Sequence, residues 1–530
     1  MKTPLVLGLD SSTQSLSAVL VDRTDGRTIR SHSIVYKSDP RLAGFGLDPE
    51  LLLLPPRQPG EADQPPLLFL ASLEALFDDL KAAGTDLGQV GLINVSAQQH
   101  GHVYLSSGFD AALEEIRAGK NTDRALAQVL RSAFSHGRAP IWKTSDTTTE
   151  AGALRRAAGG SAQMVTRTGS DSPLRFTGAV ARKVFTREAG VWAATTRLHL
   201  LSSFLPAVLT ARADVPIDWG NGSGMSLMDY ASRSWDTQIL AAAAEGLAGG
   251  AKALLTKLPS LSSPLALAGT VAPWFVKKFG FSPEARVLVG SGDNPQTKVL
   301  VDGDLLSLGT SFVMMVETPS GFVDPRGWGN AMYDGVGRPF LFGCRTNGAL
   351  VWDRLRQKAG LGPKDFATGE AALAAQAPGS VLGLWQPDTE SFPPSPMVPL
   401  TVAGGDEFAR AYPGCVDSSL GLVYLASRPW VEGRTAPLAV TGGPTASPGI
   451  LRRIAAVWNR PVVTIGTTGA ALGAVAAALK FDGVTIPLLP PSVPVQPVPT
   501  DVEALHRPGG YLDSLQTFFE ETIAQKGVAQ

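Results

Sequence analysis

The chain has 530 residues, too many for one hydrophobic core, so two large domains are expected. Hydrophobic residues make up 44% of it and charged residues 18%, which is typical of a globular enzyme and excludes a disordered or fibrous protein. The net charge of −1 gives no basic excess for nucleic acid or an anionic membrane. Two cysteines, Cys344 and Cys415, argue against a disulfide framework and exclude a Cys-based zinc site. A start without a signal peptide and the lack of a long apolar run predict a cytoplasmic protein.

The first predicted element is a hairpin. Residues 5–9 form an apolar strand, residues 10–14 a turn of small hydroxyl residues, and residues 16–21 a returning strand. The tip of such a hairpin exposes backbone N–H groups and hydroxyls. Asp10 at the mouth of the strand could bind magnesium, and Thr13 could donate to a phosphate. The alternative for Asp10 is an ordinary turn-forming aspartate.

A proline-rich stretch, residues 55–66, is predicted to be an exposed insertion. Apolar residues at helical spacing from 69 to 80 then predict a helix, and residues 90–95 predict a strand. That strand delivers Gln98, Gln99 and His100 to its carboxyl end, where open α/β sheets bind ligands. A donor-rich group of this kind suits recognition of a polyol, although an isolated histidine is more often structural.

Residues 155–257 are rich in alanine and predicted to be mostly helical, with polar loops at 168–178 and 218–224. The strand signal returns at residues 285–289, directly before Gly290, Gly292 and Asp293. An aspartate aimed by such a turn can accept the proton of a sugar hydroxyl as its oxygen attacks a phosphate. The alternative is that Asp293 caps the following helix.

Residues 305–316 predict a second hairpin with Gly309, Thr310 and Ser311 at its turn. After a proline-rich surface stretch at 387–399, strands at 437–440 and 462–465 alternate with helices at 447–458 and 469–479, and residues 487–499 are too rich in proline for a regular element. Gly442 and Gly443 lie in a strand-to-helix turn. Such a turn lets a base or a ribose approach the backbone, although glycine pairs also occur in ordinary turns.

The strand, small-hydroxyl turn and strand near residue 10 recur near residue 309. This duplication predicts two related α/β lobes facing a cleft, residues 1–285 and residues 286–530, each giving one turn to a bound phosphate. Together with the carboxylates of Asp10 and Asp293, the pattern favours a kinase that holds nucleotide phosphates and a metal. The phosphate-binding P-loop, the dinucleotide-binding, the nucleophile-elbow and the zinc-protease motifs do not occur in the sequence.

At this point the chain resembles the FGGY carbohydrate kinases and, within that family, the xylulokinases of eukaryotes. The resemblance runs over nearly the whole length. It rests on residues 8–14, 96–101, 175–178, 216–225, 292–295, 307–311 and 441–443, in that order. It implies an α/β fold in which a ribonuclease-H-like unit is duplicated, as in actin-like ATPases, with two lobes around a central cleft.

The resemblance also implies residue roles. Asp293 is implied as the general base, with sugar contacts from Asp293 itself and from Asn294, His100 and Arg175. Asp10 is implied to serve magnesium. The phosphate and adenosine contacts are implied for the following residues: Thr13, Gly309, Thr310, Gly442 and Gly443. The cofactors implied are ATP and Mg²⁺, and the reaction implied is phosphorylation of D-xylulose to D-xylulose 5-phosphate.

Two departures from the family pattern accompany the resemblance. Ser17 stands where relatives often carry a basic residue, and Pro444 follows the glycine pair where Gly or Ala is more usual. Two alternatives stay open: a kinase for another ketose or a polyol such as ribulose, and a non-catalytic sugar or nucleotide sensor of the same fold. The expected partners are a sugar and ATP, without nucleic acid or membrane, and a homodimer is left open.

Overall fold

The computed structural model of the protein describes residues 3–362, 365–466 and 469–524. Within these ranges, no helix is both long enough and apolar enough to cross a bilayer. The described residues form two mixed β-sheets with helices packed on their faces.

The first sheet is built mainly from the first hundred residues. Its spatial order is Leu267–Thr270, Arg286–Leu288, Val90–Ala97, Leu5–Ser11, Ser15–Asp22 and Thr28–Val35. The short strand Ser291–Gly292 pairs with the end of Val90–Ala97, on the same side as Arg286–Leu288. The first three strands of the chain form a meander in which Ser15–Asp22 is antiparallel to both Leu5–Ser11 and Thr28–Val35. Val90–Ala97 runs parallel to Leu5–Ser11, and Arg286–Leu288 runs parallel to Val90–Ala97.

The second sheet repeats this arrangement. Its order is Asn330–Tyr333, Pro339–Arg345, Phe312–Glu317, Leu305–Leu308, Leu438–Thr441 and Val462–Thr464. Again an antiparallel meander is followed by two parallel strands. The duplicated ribonuclease-H-like fold predicted from the sequence is confirmed, and both predicted hairpins are present. The lobe boundary near residue 285 remains a prediction.

The helices cover the sheets and fill the region between residues 148 and 257. Their bounds in the first part of the chain are Pro66–Ala82, Gly108–Arg117, Leu126–Val129, Thr148–Ala158, Ser161–Thr168, Thr177–Arg187, Ala189–Ala194, Leu201–Thr210, Trp219–Gly222, Thr237–Ala243, Gly250–Lys257, Pro273–Phe279 and Asp293–Val299. Those in the second part are Ala349–Lys358, Phe366–Ala375, Phe408–Val431, Pro448–Trp458, Gly469–Phe481, Pro499–His506 and Tyr511–Ala524. Short strand pairs join loops at Asp63–Gln64 with Ala139–Pro140, His102–Leu105 with Arg197–Leu200, Ile217–Asp218 with Leu261–Ser262, Met228–Asp229 with Ser234–Trp235, Gly383–Gln386 with Val398–Val402, and Glu390–Ser391 with Pro394–Ser395.

One helix from late in the chain packs closely on the first sheet. A Cβ on Gly8 would lie 2.0 Å from the carbonyl oxygen of Ala471, so only glycine lets Gly469–Phe481 approach the strand this closely. The side chain of Asn94 donates to the carbonyl of Ala474 at 3.0 Å. The late helix is therefore fixed against the strand that carries Asp10.

The stretch at residues 55–66 is the predicted exposed insertion only in its first half, because residues 55–60 are mostly exposed and the residues after them are not. Residues 61–64 are buried, and Asp63–Gln64 pairs with Ala139–Pro140. Burial is possible because polar partners from distant parts of the chain satisfy these residues, as when Arg138 donates to Asp63 at 2.6 Å. Contacts this remote in sequence leave no local signal.

The second proline-rich stretch, residues 387–399, is likewise not confined to the surface. The side chain of Phe392 is fully buried and stacks on Trp430 with 5.1 Å between ring centroids. Glu390 is buried and accepts backbone N–H groups from Thr346 and Asn347 at 2.7 and 2.9 Å. This stretch therefore braces the loop after Pro339–Arg345.

Candidate active site

Two carboxylates meet at the carboxyl edge of the first sheet. Asp10 lies opposite Ser96 in the neighbouring parallel strand, and Ser96 also pairs with Ser291 on its other side. The hydroxyl of Ser96 donates to Asp10 Oδ1 at 2.7 Å. Asp293 follows Ser291 by two residues and begins the helix Asp293–Val299. Parallel strands that end side by side thus bring together residues nearly 300 positions apart.

The two oxygens of Asp293 have different surroundings. Oδ1 accepts from the backbone N–H groups of Asn294 at 2.9 Å and Gln99 at 3.3 Å, and from the side-chain amide of Asn294 at 3.2 Å. Oδ2 has no hydrogen bond within the described residues. Gly292, not Asp293, occupies the N-cap position of the helix, so the alternative of a capping aspartate is not what the structure shows. Asp293 is therefore held by one oxygen and open at the other.

Burial raises the pKa of Asp293 to about 7, and the nearby charge of Asp10 adds to the rise. Burial also raises the pKa of Asp10, while the bond from Ser96 lowers it. Neither carboxylate forms an ion pair with a basic side chain in the part of the chain that the structure describes. A pair of this kind is poised to accept a proton or to be neutralised by a cation.

A polar cavity of about 470 Å³ opens beside Asp293. Its walls come from both halves of the chain. They are formed by Ser12, Thr13, Gln14, Ser15, Gln99, His100, Trp142, Lys143, Arg175, Asp293, Asn294, Ser311, Val313, Phe342, Cys344 and Thr346. Five of the residues predicted to contact sugar or phosphate are in this lining: Thr13, His100, Arg175, Asp293 and Asn294. The structure thus brings together side chains that the sequence places up to 281 positions apart.

His100 presents a neutral imidazole to the polar cavity. Its Nδ1 lies 2.9 Å from the carbonyl oxygen of Gly224, which can only accept, so Nδ1 carries the proton. Burial and, to a smaller extent, the charge of Arg175 lower the pKa of His100 to about 3. The ring stacks on Phe176 with 4.4 Å between centroids. Nε2 is consequently a fixed acceptor for a hydroxyl group.

Arg175 and Asn294 complete this end of the polar cavity. The guanidinium of Arg175 makes no hydrogen bond or ion pair to any described residue, and its charge acts on His100 and Cys344. The side-chain amide of Asn294 donates to Gln99 Oε1 at 3.0 Å, which fixes its orientation. This end of the cavity therefore offers both donors and acceptors.

The hydroxyl of Thr13 is already engaged within the protein. It donates to Gln98 Oε1 at 2.9 Å and accepts from Trp142 Nε1 at 2.8 Å. Gln64 donates to the carbonyl oxygen of Thr13 and accepts from Gln98, both at 2.9 Å. These bonds hold the shape of the first turn, and the hydroxyl of the neighbouring Ser12 is also engaged, donating to the carbonyl oxygen of Ser15 at 2.9 Å.

The second turn, Gly309 and Thr310, lies between the strands Leu305–Leu308 and Phe312–Glu317 and beside Gly442. A Cβ on Gly442 would lie 1.9 Å from the carbonyl oxygen of Leu308, so this glycine permits the close approach. The N–H of Ala349 donates to the carbonyl of Gly309 at 3.0 Å. Four residues predicted to contact phosphate, adenosine or metal do not line the polar cavity or the apolar cavity of the next paragraph: Asp10, Gly309, Thr310 and Gly442. Ser311, which follows Thr310, does line the polar cavity.

An apolar cavity of about 500 Å³ lies beyond the second turn. Gly443 and Pro444 contribute to it, together with Ala349, Trp352, Asp353, Arg356, Phe366, Ala367, Glu370, Tyr412, Ala446, Ser447, Pro448 and Ile450. The indole N–H of Trp352 and the Nε–H of Arg356 are shielded by the protein and have no hydrogen-bond acceptor among the described residues. The aromatic side chains of Trp352, Phe366 and Tyr412 make this cavity suited to a flat aromatic ligand.

Sequence reasoning missed Trp142, Lys143, Cys344 and Thr346 in the polar cavity, and Trp352 and Tyr412 in the apolar one. Trp142 meets Thr13 across 129 positions, and no local pattern marks that contact. Ser311 was predicted in the second turn without a contact of its own, and it lines the polar cavity. The resemblance predicts that relatives often have a basic residue at the position of Ser17. In this chain the hydroxyl of Ser17 is hydrogen-bonded to the hydroxyl of Ser33 at 2.8 Å.

The chain is similar to proteins named as sugar kinases. It is 29% identical to xylulose kinase 2 of Arabidopsis thaliana over 504 residues, which cover 89% of this chain and 86% of that one. No family model matches the chain. Among solved structures, a xylulose kinase from Lactobacillus acidophilus superposes with a TM-score of 0.79 at 17% identity, covering 99% of this chain and 98% of that one.

A gluconate kinase from the same organism superposes almost equally well. Its TM-score is 0.78 at 17% identity, over 99% of this chain and 98% of that one. The solved structures share the fold, and the plant xylulose kinase is 29% identical to this chain over 86% of its own length. Together these findings confirm the resemblance to xylulokinases that the sequence predicts.

Proposed function

We propose that this xylulokinase-like chain is a phosphotransferase that moves the γ-phosphate of ATP to a hydroxyl of D-xylulose, giving D-xylulose 5-phosphate and ADP. In this reaction the sugar oxygen forms a bond to the γ-phosphorus and the bond to the bridging oxygen of ADP breaks. The proton of the hydroxyl passes to Asp293. Positioning and charge neutralisation carry most of the catalysis in such transfers.

The observation that carries this proposal is the asymmetry of Asp293. Its Oδ1 is held by two backbone N–H groups, and its Oδ2 is left open beside the polar cavity. A pKa raised to about 7 matches a general base that works near neutral pH. The neutral Nε2 of His100 and the oriented amide of Asn294 supply contacts for other hydroxyls of the sugar.

The apolar cavity is the proposed nucleoside site. Trp352, Phe366 and Tyr412 give it aromatic walls against which a purine can pack. Gly443 lines this cavity next to the second turn, and Ser311 of that turn lines the polar cavity. A nucleotide whose base lies in the apolar cavity would thus direct its phosphates past the second turn toward Asp293.

A divalent cation fits the donor set at the carboxylate edge. Asp10 and Asp293 are two acidic side chains without a basic partner in the described residues, and Mg²⁺ is commonly held by one or two carboxylates plus phosphate oxygens and water. We assign Asp10 as the residue that would hold it. When bound, such a cation offsets the negative charge of the phosphates.

A second candidate is a kinase for a sugar acid. The guanidinium of Arg175 in the polar cavity has no partner among the described residues, and a carboxylate on the substrate would be a natural partner for it. The fold similarity to a gluconate kinase is consistent with this candidate. The two candidates differ in the sugar, so the sugar is the feature to be tested first.

The test measures ADP release by the purified chain with Mg-ATP and a panel of D-xylulose, L-xylulose, D-ribulose, L-ribulose, glycerol and D-gluconate. We expect a strong response to D-xylulose. A response to D-gluconate alone would keep the kinase chemistry and change the substrate. No response to any sugar, with ATP still binding, would overturn the proposal in favour of a sensor of the same fold.

A further inference from the structure

Lys143 is a cation at the polar cavity without an anionic partner. It is exposed, and it makes no ion pair or hydrogen bond within residues 3–362, 365–466 and 469–524. Its ammonium group lies 5.5 Å from the ring centroid of Trp142. The indole N–H of Trp142 donates to the hydroxyl of Thr13, so the platform beneath Lys143 is tied to the first turn.

The charges lining the polar cavity are unevenly distributed. Lys143 and Arg175 are its two basic residues. Arg175 acts on His100 and Cys344, which lie at the proposed sugar end. Lys143 adjoins Trp142, which is bonded to the first turn. The part of the lining next to the first turn therefore has one basic side chain, that of Lys143.

We propose that Lys143 binds the transferred phosphate group of the nucleotide from the side of the first turn. This proposal rests on the kinase function proposed above and extends it by naming a residue that recognises the phosphate. A bound triphosphate adds several negative charges next to two buried carboxylates, and an ammonium group at this point offsets part of that repulsion. The long stem of lysine lets its charge follow the phosphate during transfer.

The alternative is that Lys143 is a solvated surface charge without a binding role, like most exposed lysines. Two features distinguish it. It lines a cavity rather than an open surface, and its contact with Trp142 restrains it next to the turn that is proposed to hold phosphate. A solvated charge would not discriminate between nucleotides that differ by one phosphate.

The test compares Lys143→Met, which keeps the length of the stem, with Lys143→Arg and with Lys252→Met. Lys252 is an exposed lysine in the helix Gly250–Lys257 and lines neither cavity. Titration calorimetry without sugar gives dissociation constants for ATP, ADP and adenosine, and steady-state kinetics give the KM for ATP and for the sugar.

For Lys143→Met we expect ATP binding about tenfold weaker, equivalent to ~1.4 kcal/mol, with a smaller loss for ADP and none for adenosine. The KM for ATP should rise and the KM for sugar should stay unchanged. Lys143→Arg should restore most of the ATP affinity, and Lys252→Met should match the wild type. The difference between variant and wild type should shrink at high ionic strength.

Unchanged ATP affinity in Lys143→Met, in a wild-type protein that phosphorylates sugar, would overturn the role of Lys143 and leave the kinase function standing. Equal losses for ATP and adenosine would also overturn it, because they would indicate a disturbed fold. A wild-type protein that neither binds ATP nor phosphorylates any sugar would overturn both proposals together. Failure of the kinase function can be distinguished from failure of the Lys143 proposal, because the former is seen in the wild-type protein itself.

Discussion

The chemistry of Asp293 depends on the different surroundings of its two carboxylate oxygens. Backbone N–H groups orient the side chain through Oδ1, and Oδ2 can take a proton from a substrate in the polar cavity. The carboxylate of Asp10 and burial both favour the protonated form of Asp293. The position of Asp293 therefore makes it a stronger base than an aspartate in water.

We predict that Asp293→Asn lowers kcat by about 10²–10⁴-fold, because an amide cannot accept the proton of the attacking hydroxyl. Sugar binding should be nearly retained, since an amide oxygen can still accept the bonds made to Oδ1. ADP release and equilibrium sugar binding would be measured on the same preparation. Unchanged turnover would remove Asp293 from the mechanism, and lost sugar binding would give it a positioning role instead.

The same substitution should stabilise the protein in a pH-dependent way. The pKa of Asp293 is about 7 when folded and about 4 when unfolded, so between these values the folded state binds more protons and stability falls as pH rises. Asp293→Asn lacks this penalty. Without divalent cations, the Tm of the variant minus that of the wild type should increase from pH 5 to pH 8 and then level off.

Asp123→Asn is the matched control, because Asp123 is an exposed carboxylate that lines neither cavity. Its Tm difference should stay flat with pH. Addition of Mg²⁺ should narrow the gap between Asp293→Asn and the wild type, since a cation near Asp10 favours ionised Asp293. A gap that is independent of pH would contradict the assignment.

At the scale of elements, the two turns depend on close packing by small residues. Gly442 has φ 107°, and a Cβ there would lie 1.9 Å from the Leu308 carbonyl oxygen. A Cβ on the adjacent Gly443 would have no atom within 4 Å. Although both glycines were predicted as adenosine contacts, their structural constraints differ.

We predict that Gly442→Ala is strongly destabilising, with about 1–3 kcal/mol from the left-handed backbone alone and more from the clash. Gly443→Ala should keep the Tm of the wild type and act, if at all, on the KM for ATP. Thermal melts of both variants test this. Equal Tm losses would contradict the distinction drawn from the packing.

The segment at residues 55–66 acts as a brace for the first turn. Gln64 donates to the carbonyls of Thr13 and Leu52 and accepts from the amide of Gln98. Gln64→Ala leaves these buried groups unpaired, and we expect a loss of about 1–3 kcal/mol per unsatisfied group.

The exposed Gln89 provides the control, since Gln89→Ala should change stability by less than about 0.5 kcal/mol. Chemical denaturation would be followed together with the KM for ATP. A Gln64→Ala variant that matches the control in both would show that the first turn holds its shape without this brace.

At the scale of the whole molecule, the polar cavity is shared between the two halves of the chain. Thr13 and His100 from the first half and Ser311 and Thr346 from the second are all part of its lining. Substrates that contact both walls would draw them together and exclude water. Catalysis should therefore depend on both substrates being present.

We predict that ADP release without sugar is slower by about 10²-fold or more than with it, because the reacting groups are misplaced until closure. The radius of gyration should fall when a non-hydrolysable ATP analogue and sugar are added together, and less with either alone. Equal ADP release with and without sugar would argue against closure as a requirement.

Much of the fold could be predicted because its determinants are local. The apolar strand before Asp10, the helical spacing of residues 69–80 and the small residues of both turns are legible within short windows, and their recurrence revealed the duplication. The proline-rich stretches were misjudged because burial of residues 61–64 and of Phe392 depends on partners that are remote in sequence.

The sequence by itself determined the order of the elements and the residue types at the strand ends. Only the tertiary structure decided which of these side chains meet. It joined Trp142 to Thr13 across 129 positions, placed Lys143 at the polar cavity and placed the charge of Asp10 beside Asp293. Backbone geometry follows from neighbours along the chain, whereas burial, charge coupling and pKa follow from neighbours in space.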